Sequence, residues 1–424
     1  MGSCAARVAF INLGCRLNRV ETDLIATELK REGCVVVDKH DADVVIINTC
    51  AVTGEAETKT RKTVRAAVRL AQEPLVIATG CVASLFADEL RQLGPHVVVE
   101  PRKDKVAERV LERLGAAPAP DDGPMGFSTP TPTGRMRPGI KIQDGCDNRC
   151  SFCIVWKARG PSRSVRSDRI VRAVREACSN SAHEVVLSGI NLGSYRTGND
   201  DPLGPGKGLD RLLAHLLSET SIERVRLSSM EPPDVCDELL EVMASSDGRI
   251  APFLHVCLQS GSDATLKRMR RVYTTSEYAH VVKRARDYMP NLTLGTDLIV
   301  GFPGETDEEF EASREFCERM RFAKMHVFRY SARPGTPAAT MDDQVSPMVM
   351  AQRSSVMRDL AQRMRLEQVQ CLVGKTGDVL VQSEGHAVTE GLFDVRVKSN
   401  LNVGELVNVQ FVGESNGWLE GEAL

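Results

Sequence analysis

Short apolar runs bounded by turn residues recur through the first hundred positions: "RVAFINLG" at 7–14, "ADVVIINT" at 42–49, "PLVIATG" at 74–80 and "HVVVE" at 96–100. Helix-like stretches lie between them, at Val20–Arg31, Glu57–Ala71 and Leu85–Leu93. Apolar strands alternating with helices predict a parallel sheet covered on both faces, a flavodoxin- or Rossmann-like α/β domain over residues 1–115. From Ala116 to Pro138 six prolines interrupt the pattern, which predicts a linker.

Strand–helix alternation resumes over 139–345. Strands are expected at Ile140–Gln143, Glu184–Leu187, Arg224–Leu227, Leu254–Leu258, Leu292–Val300 and Met325–Tyr330. Helices are expected at Arg166–Cys178, Asp210–Leu217, Asp234–Ala244, Ser276–Tyr288 and Asp307–Met320. Six such units predict a partial (β/α)6 barrel, since eight close the usual one. A helix rich in Arg, Met and Leu reads from Pro347 to Gln370 and connects, over 346–366, to a last domain at 367–424. There "DVLVQS", "LFDVRVKS", "ELVNVQFVG" and "GWLEG" alternate between turn residues, the pattern of a small antiparallel β-barrel.

Length and composition fit that division. The chain has 424 residues, more than one core usually spans. A net charge of -3 gives no global pull toward nucleic acid, so any such contact must come from local patches. The apolar runs are too short to span a bilayer. The opening "MGSCAARVAFINLGC" lacks the apolar length of a signal peptide, and Ala6 breaks the myristoylation pattern, so a first strand is expected there. Thirteen cysteines in so long a chain argue for a reducing cytoplasm with some thiols committed to metal, not a disulfide framework. Cys34, Cys178, Cys236, Cys257, Cys317 and Cys371 read as small buried hydrophobes.

The stretch "GCDNRCSFCIV" (145–155) places Cys146, Cys150 and Cys153 in one loop with no fourth ligand nearby. A structural zinc site wants four protein ligands. A 4Fe-4S cubane bound by three thiolates keeps one iron free for another ligand. Cys15, Cys50 and Cys81 each follow a predicted parallel strand, where ligands of open α/β sheets collect. Spacing alone leaves these three either as a second cluster site or as unrelated buried thiols. Polar and glycine residues follow the barrel strands at Gly189, Asn191, Glu231 and Gln259. Active sites of β/α barrels gather at those ends, so these four are candidate ligand contacts, with ordinary loop chemistry as the alternative.

The Cys146–Cys153 loop resembles the signature of the radical S-adenosylmethionine (SAM) enzymes. "NLGCRLN", "NTCAVTGEAE", "TGCVA", "ARGPSRS", "LSGINLGSY", "GTDLIVGFPGET" and "YSARPGTPAA" resemble the methylthiotransferases of that superfamily, and the tail resembles the RNA-binding TRAM barrel. The resemblance implies two 4Fe-4S clusters, one on each triad, and two SAM per turnover. One SAM methylates a sulfur carried by the cluster on Cys15, Cys50 and Cys81. The other, cleaved at the cluster on Cys146, Cys150 and Cys153, supplies a 5'-deoxyadenosyl radical. Phe152 fills the aromatic slot near the adenine, and no residue is assigned as general acid or base.

Within the family, "NTCAVTGEAE" and "LSGINLGSY" look most like the branch acting on threonylcarbamoyladenosine beside the tRNA anticodon. The alternatives are isopentenyladenosine of tRNA, a ribosomal-protein aspartate, or, outside the family, an iron–sulfur carrier or sensor or an RNA-binding zinc protein. The implied partners are the tRNA anticodon stem-loop and a low-potential flavodoxin or ferredoxin, with a monomer as the default and no membrane. Three basic groups are candidates for phosphate contact: Lys62, Arg65 and Arg69; Arg159, Arg163, Arg166 and Arg169; and Lys267, Arg268, Arg270 and Arg271. Each could equally be a solvated helix face. Aromatics are only 4%, which limits base stacking. One departure from the family is "IVWKARG", where Trp156 and Lys157 replace a Pro-Tyr pair.

Overall fold

The computed structural model describes residues 6–114, 130–398 and 401–424; positions 116–129 of the expected linker lie outside them. The first domain is a five-stranded parallel sheet of β1 (Arg7–Asn12), β2 (Val35–Val36), β3 (Val44–Thr49), β4 (Leu75–Gly80) and β5 (Val97–Val99). Its order, β2-β1-β3-β4-β5, is that of the flavodoxin-like doubly wound fold. β3 is buried at all six positions because helices cover both faces. On one side, helix α1 (Arg16–Arg31) contributes Ile25 and Leu29, beside Val106 and Val110 of Val106–Arg113. On the other, helix α2 (Gly54–Val68) contributes Val64 and Ala67, beside Val82 and Leu90. The single helix expected at Leu85–Leu93 is two short ones, Cys81–Leu85 and Ala87–Arg91, broken where Phe86 leaves helical dihedrals (φ -135°, ψ 44°).

The second unit has six parallel strands in sequence order: Gly139–Lys141, Glu184–Ser188, Arg224–Leu227, Phe253–His255, Thr293–Val300 and Lys324–Arg329. Isolated parallel bridges, Val225 to Ile250 and Met230 to Val256, join the two halves. Along each strand one set of side chains packs outward on the helices. Val185, Leu187, Val225, Leu227, Leu294 and Leu298 belong to that core. The alternate set faces the lumen and is largely polar. The barrel stays open between its first and last strands, and α1 lies against the first. A Cβ on Gly139 would come within 2.1 Å of Val20, so only glycine lets the helix approach this closely.

The tail is a closed barrel of Thr376–Ser383, His386–Thr389, Asp394–Arg396, Leu406–Ser415 and Trp418–Ala423, reached through the helix Pro347–Gln370. The barrel expected to be antiparallel has one parallel pair, Asp394–Arg396 with Trp418–Ala423. Five strands cannot alternate direction all the way round a closed ring, so one pair must run parallel. This barrel sits at the strands' N-terminal ends, where Val388 and Leu392 pack on Phe253. Fully buried Glu184 accepts from Arg224 (2.6 Å) and Arg226 (2.8 Å), which also donate to tail carbonyls of Asp378 and Glu390. No helix among the described residues is long and apolar enough to cross a membrane.

Candidate active site

The dispersed triad comes together because three parallel neighbours, β1, β3 and β4, end on the same edge. Cys15 is the residue before α1, Cys50 follows β3, and Cys81 opens the helix after β4. Gly14 (φ +105°) makes the approach possible: a Cβ there would lie 2.2 Å from Cys50 Cβ and 2.5 Å from its sulfur. Burial pushes the Cys50 thiol up to about 11, partly countered by N–H donors of Val52 and Cys15, while Cys15 and Cys81 are close enough to add to the rise. Gly14→Ala should therefore lower the iron bound by this triad without altering the barrel; metal analysis of the purified variant against its circular dichroism checks it.

In the barrel loop, Cys150 and Cys153 are tied by a backbone bond (Cys153 N to Cys150 O, 3.1 Å). Burial pushes Cys153 up to about 12. Arg271 Nη1 donates to the Cys150 sulfur at 3.1 Å, and its other amino group pairs with Glu231. Among the described residues, the three ligand-type groups whose donor atoms lie within 4.8 Å of one another are His255, Cys257 and Asp297; neither cysteine triad is that tight. A single tetrahedral zinc with sulfurs at about 2.3 Å holds them under about 4 Å apart. A cubane gives each iron its own thiolate and spreads them further. Six soft thiol donors in two groups of three are the donor set of iron–sulfur clusters and not of a hard cation.

The two triads are neighbours. Ile154, directly after Cys153, is buried in the first domain's core with Leu13, Ala51, Cys81 and Val82. The helix Val155–Arg159 lies on the helix Cys81–Leu85. Behind them is a charge network that motif spacing did not reveal. Glu21 accepts from Lys141 (2.7 Å) and Arg159 (2.9 Å) and pairs with Lys103. Asp144 takes Lys141, Arg159 and Arg163. These groups line a cleft of about 540 Å³ that reaches Cys81. Burial pushes Glu21 upward, but Arg159, Lys103 and Lys141 outweigh it and hold the carboxyl well below the usual range.

Of the ligand contacts expected at the strand ends, Asn191 and Glu231 line one pocket of about 450 Å³, with Asp147, Ser194, Lys207 and Asp234. Asn191 Oδ1 is buried there without a hydrogen-bond partner, an acceptor held ready for a ligand donor. Gly189 lies beside them: its missing Cβ makes room for Gln143, whose Oε1 would sit 2.8 Å away. Gln143, overlooked as a site residue though it stands in "QDGC", is the clamp. Its Oε1 accepts from Ile190 and Asn191 N–H, and its Nε2 donates to Gly145 O and Ser162. Gln259 adopts φ +67° and bonds through its backbone to Asp297 and Ile299. Phe152 packs edge-on against Phe302 at 6.5 Å. At the family departure, Trp156 lies under Arg149 (4.6 Å), and Lys157 donates to Gly335 O at 2.5 Å.

Several expectations need correction. Arg159 does not face solvent or phosphate; its side chain is 5% exposed and spent on Glu21 and Asp144. Arg268 pairs with Glu309 and Arg271 with Glu231. Lys62, Arg65, Arg69, Lys267 and Arg270 remain exposed. Cys236 and Cys371 are exposed thiols and not buried hydrophobes, because each caps a helix end at the surface.

Comparison with known proteins agrees with this geometry. The radical SAM superfamily model matches residues 140–317, and the uncharacterized protein family UPF0004 matches residues 7–100. A threonylcarbamoyladenosine tRNA methylthiotransferase MtaB of Aquifex aeolicus is 36% identical over 95% of this chain and 99% of its own length. The MtaB of Bacillus subtilis is 36% identical over 82% and 78%. A tRNA-2-methylthio-N(6)-dimethylallyladenosine synthase of Acidothermus cellulolyticus is 35% identical over 89% and 78%. In fold alone, the chain is similar to the radical S-adenosylmethionine methyltransferase TsrM of Kitasatospora setae (TM-score 0.55, 15% identity, 79% of this chain and 77% of that one). With the first two of its three domains matched and relatives of this identity spanning almost the whole sequence, the chain belongs to the radical SAM tRNA methylthiotransferases, enzymes that work with a 4Fe-4S cluster and SAM.

Proposed function

We propose that this enzyme places a methylthio group on C2 of threonylcarbamoyladenosine next to the tRNA anticodon. It would use two 4Fe-4S clusters, held by Cys15, Cys50 and Cys81 and by Cys146, Cys150 and Cys153. When bound, the clusters and SAM supply the radical that opens an unactivated C–H bond and the sulfur and methyl group that replace the hydrogen. The observation that carries the two-cluster reading is the burial of Ile154 among Leu13, Ala51 and Cys81, which fixes one triad beside the other. The substrate reading is supported by five relatives named for threonylcarbamoyladenosine, at 33–36% identity.

The chain's own residues bind and position. Arg271 sets a positive charge against the Cys150 sulfur while restraining Glu231. Gln143 locks the cysteine loop to the Gly189–Asn191 turn. Asn191 offers its unpaired Oδ1 to a ligand amino group, with Glu231 in the same pocket. Phe152, braced by Phe302, gives an apolar wall. The twelve described cysteines are free thiols, which fits work in the reducing cytoplasm, where a low-potential flavodoxin or ferredoxin would serve as electron donor. Mass analysis of tRNA nucleosides from cells with and without the gene tests the substrate. The methylthio form of threonylcarbamoyladenosine should vanish on deletion. Loss of the methylthio form of isopentenyladenosine instead would replace this reading.

A further inference from the structure

Helix α1 borders the barrel's open side, and its barrel-facing stripe is legible residue by residue. Val20 packs on Gly139, and Leu24 lies against the barrel core. Arg16 stands one turn before Val20 on the same stripe. It follows Cys15 directly, is exposed, and has no ion-pair partner among the described residues. The opposite rim is the barrel's last strand, where Lys324, His326 and Phe328 alternate onto one side. His326 stacks on His255 at 5.9 Å, and His255 pairs with Asp297 at 3.2 Å.

The charge of this cleft is lopsided. The charged groups around Arg16 are Arg137, Arg226 and Arg135, with Glu184 and Asp297 as the opposing ones. Glu184 is already shared by Arg137, Arg224 and Arg226. Burial, then Arg16, Arg365 and Arg137, bring the Lys324 ammonium down to about 8. Glu184 is spent on three arginines and Asp297 on His255, so the cations outnumber the carboxylates that could neutralise them; such crowding costs stability, and an anionic guest relieves that cost. The two nucleosides named among the relatives differ in this respect. A threonylcarbamoyl group ends in a carboxylate, whereas a dimethylallyl group is wholly apolar and would call for apolar walls.

We propose that the cleft between α1 and the strand Lys324–Arg329 is a carboxylate subsite that reads the threonyl group of the substrate, with Arg16 as its principal contact and Lys324 and His326 behind it. The proposal rests on the substrate reading above. It also gives specificity a physical source: a site built to pair a charge rejects an analogue lacking it, because its own polar groups are then left unpaired.

The test is binding of the iron-loaded enzyme, without reductant, to labelled anticodon stem-loops of one sequence. The loops carry threonylcarbamoyladenosine, its neutral carboxamide analogue, dimethylallyladenosine or plain adenosine at the same position. The wild-type chain should favour the carboxylate over the carboxamide by about 10- to 100-fold. Arg16→Gln and Lys324→Gln should each erase most of that ratio while leaving the carboxamide and plain loops bound as before. Equal binding of carboxylate and carboxamide by the wild type overturns the proposal. So does an equal loss for all four loops in both variants, which would assign these cations to backbone phosphate. Iron content is measured in each variant, and if Arg16→Gln fails to load, the Lys324→Gln comparison decides. The substrate reading fails separately, if the reduced wild-type enzyme modifies the dimethylallyladenosine loop and not the threonylcarbamoyladenosine loop.

Discussion

Replacing Cys146, Cys150 and Cys153 together by Ala should end SAM cleavage and remove about half of the iron, from about eight atoms per chain to about four. The same change at Cys15, Cys50 and Cys81 should remove the other half, spare SAM cleavage and end methylthio transfer. The asymmetry follows from where each triad sits. The barrel loop shares its strand-end edge with the pocket of Asn191 and Glu231, and Arg271 links Cys150 to Glu231 directly. The other triad belongs to a separate sheet and does not line that pocket, so its loss leaves the Asn191–Glu231 pocket intact. The folds should survive both changes. A cysteine-to-alanine change deletes one atom, and Arg271 keeps its Glu231 partner when Cys150 goes. Iron analysis, 5'-deoxyadenosine release and product mass, measured on the same preparations, read the three effects apart. Methylthio product from the Cys15, Cys50, Cys81 triple variant would overturn the division of labour.

Much of this site was legible because its signals are local. Cys146, Cys150 and Cys153 announce themselves by spacing. Cys15, Cys50 and Cys81 could be joined across 35 and 31 positions because each follows an apolar run of the same kind, and parallel neighbours end on one edge. The long helices Asp307–Met320, with its apolar periodicity, and Pro347–Gln370, with its run of helix-forming Arg, Met and Leu, match their expected bounds. The two-residue strand Val35–Val36 did not stand out, because its pairing to β1 is a tertiary fact with almost no sequence length to carry it. The docking of the tail barrel was equally hidden. Glu184, Arg224 and Arg226 look like surface residues in the sequence. Only the strand register turns all three into the lumen, where the arginines meet tail carbonyls. Arg159 was misread for the same reason: a run of arginines says nothing about which of them meets a carboxylate from a helix 138 positions away.

That helix contact leads to the largest expected loss of stability. Glu21→Gln should cost about 3–5 kcal/mol, because it keeps the volume but strands Arg159, Lys103 and Lys141 around a buried position with only Asp144 to neutralise them. Glu21 is 3% exposed and Arg159 5%. The exposed pair Arg7–Asp43 is the control, and Asp43→Asn should cost under about 1 kcal/mol. Denaturant midpoints of the variants give the comparison. The sign of the pH dependence is fixed by the direction of the shift. Glu21 ionises more readily when folded than when unfolded, so its contribution is complete above about pH 4.3 and is lost as pH falls below that toward the folded value. Glu21→Gln should therefore flatten the acid limb of the stability curve as well as lower its plateau. Methylthio transfer should fall further than SAM cleavage in this variant. Glu21 joins α1, which starts at Cys15, to Arg159 of the helix that follows Cys153, so loosening it changes the spacing of the two triads and leaves the Asn191–Glu231 pocket as it was. Equal losses in both activities would instead mean that the network supports the barrel loop alone.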